Sequence, residues 1–142
     1  MAYPVQLLQA AIYSRLTGIS GLTSLLAAGA NSVFDYVQQD AIFPYVVIDS
    51  FTTTEDGDKS KQGQDITITI QVFDKGRGKK TTELIMAQVH DAIERQESAF
   101  TLTGFTVALA KFEFSDIFID DEDSTNLYPH GVMRFRFLIK EA

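Results

Sequence analysis

Alternation of apolar and polar residues marks two strands in this chain, and Leu138 is the one position within them that departs from it. Every second position is apolar from Ile66 to Val72 and again from Met133 to Ile139. Successive side chains of a strand point to opposite faces, so each strand has one apolar and one polar face. The polar positions between the apolar ones are Thr67, Thr69, Gln71, Arg134 and Arg136. The pattern predicts an antiparallel sheet covered on one side.

Three other segments carry apolar residues at the three- and four-residue spacing of an amphipathic helix. The first begins at Pro4, which suits a first helical turn, and ends near Gly18. The second is a short helix that Ser20 caps and Gly29 ends. The third extends from about Thr81 to Gln96, and its inward face holds Ile85, Val89, Ala92, Ile93 and Gln96. Together the elements predict an α+β fold: a mostly antiparallel sheet of about four to five strands with two to three helices packed on one face.

A short strand and a longer one are predicted in the middle of the chain. The first extends from Val33 to Val37 and is followed by a polar turn through Gln38, Gln39 and Asp40. Pro44 has no backbone N–H and suits the position where a strand begins. The longer strand is therefore predicted from Tyr45 to about Thr54.

The longer strand is apolar on both faces where it begins. Val46 and Ile48 share one face, while Tyr45, Val47 and Phe51 share the other. A strand covered on both sides is central in its sheet or part of a subunit interface. We therefore expect Tyr45, Val47 and Phe51 to contact a neighbouring subunit.

A polar segment follows this strand and has no apolar residue before Ile66. Its composition predicts a long mobile loop that joins two strands. We expect Glu55 to Gln64 to be mobile in the free subunit and to become ordered against a neighbour or partner, because this stretch cannot bury enough apolar area alone. Its candidate contact residues are Glu55, Asp56, Asp58, Lys59 and Lys61.

The fourth predicted strand changes phase along its length. Its first apolar residues are Phe105, Val107 and Leu109, whereas Phe112 and Phe114 continue on the opposite phase. A slip of one residue turns every later side chain to the other face unless a bulge absorbs it. We predict a bulge or strand bend near residues 110–111.

Composition limits the class of protein. With 142 residues, of which 45% are hydrophobic, the chain suits one domain that spans residues 1–142. The net charge of −7 argues against a general nucleic-acid binder, since affinity for a phosphate backbone comes from clustered Lys and Arg. The absence of cysteine excludes disulfides, thiolate metal sites and thiol nucleophiles. No apolar run is long enough to cross a bilayer.

Two charged segments resemble chemical sites but lack the required spacing. The run from Gly76 to Thr81 lacks the four residues that a phosphate loop places between its first glycine and its Gly-Lys-Ser/Thr. We interpret its Arg77, Lys79 and Lys80 as an exposed basic turn that an acidic partner surface could approach. The acidic residues between positions 116 and 123 lack the ligand spacing of a calcium loop, so we expect a solvated acidic loop from Asp120 to Asp123.

The two histidines, His90 and His130, fit neither a two-histidine metal spacing nor a serine-nucleophile motif. We interpret them as a helix-flank residue and a turn residue. No paired constellation for acid-base or nucleophilic catalysis is visible, so we predict no catalytic site, no cofactor and no metal. An enzyme or small-ligand domain with a site assembled from scattered residues is the alternative of another class.

Three stretches carry a resemblance to a known family. They are the helix from Leu22 to Leu26 with the VFDYV that follows it, the turn and strand QQDAIFPYVVI, and the closing HGVMRFRF from His130 to Phe137. With these stretches the chain resembles the tail terminators of tailed phages, prophages and gene transfer agents, which are also called tail completion or tail-component proteins. In similar proteins a proline often precedes the glutamine of that turn, whereas Gln38 stands here.

The resemblance implies a structural virion protein, not an enzyme, that forms a ring, usually a hexamer. The ring would cap the finished tail tube and join it to a head-side connector or stopper protein in the neck of the virion, after assembly in the cytoplasm of the host bacterium. DNA would pass through the ring without sequence-specific binding, and no membrane is implied. Another neck or tail component, such as a head-closure or tube protein, is the alternative within the virion.

Arg134 and Arg136 share the outer face of the last strand on an otherwise acidic protein. One alternative is ion pairing within the subunit, with Glu113 or nearby carboxylates. The other is contact with a neighbouring subunit or the tail tube. Both arginines are therefore candidate ring or partner contacts.

Overall fold

The structure is a computed structural model that describes residues 3–36 and 40–142. The helices are α1 (Val5–Thr17), α2 (Ser20–Thr23) and α3 (Lys80–Ile93), and single 3₁₀ turns lie at Gly29–Ser32 and Glu97–Ala99. The strands are β1 (Val33–Phe34), β2 (Tyr45–Glu55), β3 (Gly63–Phe73), β4 (Phe105–Glu122) and β5 (Leu127–Glu141). Of the predicted first strand and turn, Val37, Gln38 and Gln39 lie outside the described residues.

The strands form one sheet in the order β1-β2-β3-β5-β4. β1 is parallel to β2, and the other three neighbouring pairs are antiparallel. In the centre, β3 pairs with β5 without interruption from Gly63–Lys140 to Phe73–His130. The predicted α+β fold with a mostly antiparallel sheet is confirmed.

The core lies between one face of this sheet and the helices. The alternation predicted in β3 and β5 is confirmed, because every inward residue of both strands is at most 2% exposed. These residues are Ile66, Ile68, Ile70, Val72, Met133, Phe135, Phe137 and Ile139. α1 covers them with Leu8, Ile12 and Leu16, and α3 with Ile85, Val89, Ala92 and Ile93. All the helices therefore lie on one face, as predicted.

The helix ends differ from the prediction at three points. Ser20 is the first residue of α2 rather than its cap, and no side chain caps that helix. α2 ends at Thr23 and not at Gly29, which begins the following 3₁₀ turn. α3 ends at Ile93 because Arg95 adopts a left-handed backbone conformation with φ of 58°. Gln96 therefore lies beyond the helix and is exposed, so its predicted place on the inward face is wrong.

A bulge in β2 changes the face of Phe51. The register of β2 against β3 shifts between Ile48 and Phe51, and Phe51 lies opposite the core residue Ile68. The extra residue turns Phe51 toward the helices, where it packs against the core. The prediction that Phe51 shares a face with Tyr45 and Val47 is wrong.

The loop between β2 and β3 is shorter than predicted. Thr52 pairs with Thr67, and the ladder continues to Glu55 opposite Gln64, so residues 56–62 alone connect the strands. Threonine favours extended backbone, and Thr52 and Thr54 project to an exposed face of β2, where no apolar residue is needed. A polar composition was therefore compatible with a strand.

Three register shifts along β4 change the side that its residues face. They lie at Val107/Leu109, Phe112/Phe114 and Ile119/Asp121. The first two flank residues 110–111, which confirms the predicted irregularity. Asp121 and Glu122 still pair with β5, so residues 123–126 form the turn, and the predicted acidic loop is mostly strand.

Phe135→Ala should lower the free energy of unfolding by about 3–5 kcal/mol, because the fully buried ring leaves a cavity in the core. Urea unfolding followed by circular dichroism measures this loss. The matched control is Phe114→Ala, whose ring is 45% exposed and whose loss should stay within about 1 kcal/mol. Equal losses in the two variants would contradict the assigned sheet faces.

Candidate functional site

The candidate contact residues occupy both ends of the sheet and its outer face, which the helices leave uncovered. One end carries Glu55, the last residue of β2, and the turn at residues 56–62 with Asp56, Asp58, Lys59 and Lys61. The opposite end carries the turn before α3, with Arg77, Lys79 and Lys80, because Gly76 bridges to Leu127 at the start of β5. Arg134 and Arg136 lie on β5 between these ends. The structure thus separates the candidates rather than gathering them into one pocket.

The turn at residues 56–62 is organised by one carboxylate. Oδ1 of Asp58 accepts hydrogen bonds of 2.8 Å from the backbone N–H groups of Ser60 and Lys61 and from the Ser60 hydroxyl. These hydrogen bonds lower the pKa of Asp58 to about 2, and the bond from the N–H of Lys61 has the largest effect. The turn has the internal bonding of a formed turn rather than of an unstructured loop.

This turn is also tied to the end of β5. Nζ of Lys140 lies 2.9 Å from Oδ2 of Asp56 and also donates to the backbone carbonyl of Asp56. The N–H of Gln62 donates to Oε1 of Glu141 at 2.7 Å. Lys59 and Lys61, in contrast, are exposed. Ordering of this segment against a partner stays a prediction.

The opposite end places basic and acidic groups beside each other. Arg77, Lys79 and Lys80 are exposed, as the basic-turn interpretation predicts. Arg77 lines a groove of about 340 Å³ together with the turn at residues 123–126. In that turn, hydrogen bonds from the N–H groups of Thr125 and Asn126 lower the pKa of Asp123 to about 2. This end of the sheet is therefore strongly charged with both signs.

The two arginines of β5 have different partners. Arg136 forms a two-pronged ion pair with Asp65 of β3, with Nε–Oδ1 at 2.9 Å and Nη2–Oδ2 at 2.7 Å. This hydrogen-bonded pair raises the pKa of Arg136. The guanidinium of Arg134 instead lies over the ring of Phe114, 5.5 Å from its centroid. Pairing within the subunit thus applies to Arg136, through Asp65 and not Glu113, while contact across subunits remains a prediction for Arg134.

Aromatic residues of the same chain cover the outer face at the start of β2. The ring of Tyr45 stacks on Phe73 at 5.2 Å and meets Phe34 edge-on at 5.7 Å. Burial, and secondarily the charge of Asp120, raises the pKa of Tyr45. Val47 is 6% exposed and aligned with Phe34. The two-sided apolarity of β2 therefore has an explanation within one subunit, and a ring contact by Tyr45 or Val47 stays a prediction.

Sequence reasoning missed the environment of His130, which lies in β5 and not in a turn. Its ring stacks on Phe73 at 4.2 Å and lies 4.8 Å from the ring of Phe118. Its Nδ1 is 2.9 Å from Oδ2 of Asp120, and its Nε2 is 2.5 Å from Oε1 of Gln71. The ring thus links β3 and β4 across β5. No signal in the sequence joins these residues, because their proximity depends on strand register.

The same residues form neither a metal-binding cluster nor a membrane-spanning helix in the described part of the chain. Within residues 3–36 and 40–142, no group of three or more His, Asp or Glu side chains converges as metal ligands. His90 contacts Asp91 at 2.9 Å and the ring of Phe112, as a helix-flank residue would. Across the described chain, no helix has the length and apolarity needed to span a membrane.

Comparisons with known proteins give a family and a fold. The family model described as "Tail completion protein gp17" matches residues 10–140. A solved chain described as "Virion of native gene transfer agent (GTA) particle" superposes with a TM-score of 0.76 at 23% identity, covering 96% of this chain and 99% of its own. A search of curated proteins finds no match. The match of the family model begins within α1 and ends one residue before the end of β5.

Lowering the pH should release the turn at Asp58 only near pH 2. The folded pKa lies below the ordinary value of 3.8, so the stabilisation is present above that value and is lost as the pH falls through about 2. NMR amide shifts of Ser60 and Lys61 should titrate with that midpoint. In the Asp58→Asn control these shifts should not titrate, and a wild-type midpoint near 4 would contradict the turn geometry.

Arg136→Ala should lower the thermal unfolding midpoint, because it leaves Asp65 without its two-pronged partner. The matched variant Arg134→Ala removes a cation from the same face and should change the midpoint less, since it breaks no ion pair. Calorimetry at low and high salt separates the two, because salt screens a surface pair. Equal effects in both variants would refute the distinction.

Proposed function

Because the chain belongs to the tail completion protein gp17 family, we propose that it is a structural component of a virion tail and not an enzyme, acting as a single domain over residues 1–142. The observation that carries the proposal is the family match over residues 10–140. The similarity of the fold to a chain of a gene transfer agent virion supports it.

The specific role proposed is that of a tail terminator. Copies of the chain form a ring, usually a hexamer, that caps the tail tube on one side and contacts the head-side connector or stopper protein on the other. Such a ring needs two end surfaces that differ. The chain offers them, since the turn held by Asp58 lies at one end of the sheet and the basic turn at Arg77 lies at the other.

DNA passes through this ring without sequence-specific binding. The net charge of −7 supports passage over retention, because a channel without clustered cations releases few counterions from the phosphate backbone. The ring takes its place in the neck of the virion after assembly in the cytoplasm of the host bacterium.

A lysate made without this protein should contain overlong tails without heads, because nothing stops polymerisation of the tube. Electron microscopy of the lysate shows this directly, and supplying the wild-type chain should restore normal tails. Tails of normal length without heads would indicate a head-closure protein, and an absence of tails would indicate a tube protein. Native mass spectrometry of the concentrated chain should detect a closed oligomer.

A further inference from the structure

Aromatic rings form a row across the outer face at one end of the sheet. They are aligned in the register of four neighbouring strands, and each ring contacts the next. The aligned residues are Tyr45, Phe73, His130 and Phe118. At the same end, the ring of Phe43 lies 5.3 Å from that of Tyr45 and 5.8 Å from that of Tyr128.

These rings form the walls of a pocket of about 190 Å³. Its aromatic lining is Phe43, Tyr45, Phe73 and Tyr128, and its acidic lining is Asp74, Asp120 and Asp121. We name it the aromatic–acidic pocket. Pockets for drug-sized ligands begin at about 300 Å³, so this one suits a single side chain better than a cofactor.

The carboxylates of the pocket have no counter-ion from Lys or Arg. Asp120 is bound to the ring of His130 at 2.9 Å. Asp121 accepts one backbone N–H at 2.8 Å. Asp74 is 5% exposed and accepts one backbone N–H and one hydroxyl. Within the described residues, none of the three forms an ion pair with Lys or Arg. Their oxygens therefore keep acceptor sites for a cationic donor.

One cation of the chain approaches the pocket from outside. Nζ of Lys75 lies 5.9 Å from the centroid of the Tyr128 ring, at the outer limit of a cation–π contact. Lys75 is exposed and is not part of the lining. The ring of Tyr128 is thus already placed so that a cation can lie against it, while the carboxylates beside it stay unneutralised.

The hydroxyl of Tyr45 is a second group of the lining without a partner. Tyr45 is 8% exposed, and its hydroxyl forms no hydrogen bond within the described part of the chain. Buried tyrosine hydroxyls usually have a hydrogen-bond partner. Burial, and secondarily the charge of Asp120, raises the pKa of Tyr45, so the phenol oxygen lies within electrostatic reach of that carboxylate. A ligand beside Asp120 can therefore donate a hydrogen bond to this oxygen.

The chemistry of the lining selects among cations. A guanidinium is flat, stacks on aromatic rings and carries several N–H donors, so it can meet a ring, a carboxylate and a phenol oxygen together. Free arginine would bring a carboxylate of its own, and the lining found in the described residues includes no Lys or Arg to receive it. An arginine side chain within a protein has no such charge.

We propose that the aromatic–acidic pocket binds an arginine side chain of a partner protein. The pocket lies at the end of the sheet where β2 and β5 begin. In the proposed ring this end contacts the tail tube or the head-side protein, so the partner is one of these and not another copy. That identification of the partner rests on the proposed function, whereas the chemistry of the pocket does not.

An NMR titration of the full chain tests the pocket. The probe is N-acetyl-arginine amide, in which both backbone charges are blocked. We expect saturable shifts at the amides of Asp120, Asp121 and Tyr128, with a dissociation constant in the millimolar range. N-acetyl-citrulline amide has nearly the same shape without the charge and should bind at least about tenfold more weakly. The lysine analogue should also bind more weakly, because its ammonium does not stack.

The opposite outcomes overturn the proposal. Absence of saturable shifts with the arginine probe, or equal binding of the citrulline probe, excludes a cation pocket. Equal binding of the lysine probe excludes selection of arginine. Tighter binding of free arginine assigns the pocket to the amino acid, and saturable shifts with calcium chloride instead of arginine assign it to a metal. The same shifts on concentrating the chain alone make the occupant a second copy.

Two variants locate the binding. Tyr45→Phe keeps the ring and removes the hydroxyl, so it should weaken binding of the arginine probe about tenfold and leave the thermal unfolding midpoint unchanged. Asp121→Asn should weaken binding similarly. The matched control is Asp116→Asn, which removes an exposed carboxylate of the same strand outside the pocket and should bind as the wild type does. Equal weakening in this control would mean unspecific attraction to an acidic chain.

The pocket and the proposed function fail separately. Lack of arginine binding leaves the terminator role standing, because that role is judged from the tails in the lysate. Tails of normal length without the chain would end that role and the identification of the partner, while a positive titration would still establish the pocket.

Discussion

The unbroken pairing of β3 with β5 is the constraint on which the rest of the structure depends. Its register runs from Gly63–Lys140 to Phe73–His130 without a bulge, so the inward residues of both strands form one continuous apolar surface. The helices bury that surface. The bulges lie in the neighbouring strands β2 and β4, so they do not interrupt the central apolar surface. The same register places Asp65 beside Arg136 and brings His130 beside Phe73. The register of β3 against β5 thus determines both the residues of the core and the contacts on the outer face.

Much of this fold could be predicted from the sequence where the periodicity is strict. The alternation in β3 and β5 and the helical spacing in α1 gave the right faces, because burial of one side enforces those patterns. The predictions for Phe51 and for the acidic loop failed for two different physical reasons. A bulge shifts later side chains by one position, and a polar strand at a sheet edge has no apolar signal to distinguish it from a loop.

The candidate surfaces were predicted less well than the core. Sequence placed two arginines on one face, which is correct, but it could not choose Asp65 as the partner of Arg136 over Glu113. It gave no reason to join His130 with Gln71, since 59 residues separate them and only strand register brings them together. Contacts across strands depend on alignment, and alternation within a strand does not reveal alignment. The fold class could therefore be predicted from the sequence, but the side-chain contacts between strands could not.

Residues at the end of α3 form hydrogen bonds with the edge strand β4. The left-handed conformation of Arg95 ends the helix and directs its N–H to the carbonyl of Ala110, while Glu94 and Glu97 accept from β4. These bonds close the first half of the edge strand against any added strand. Within the described residues, the outer side of β4 is therefore open only after Phe112. An edge strand that is half covered by the end of a helix thus leaves less backbone open to uncontrolled growth of the sheet.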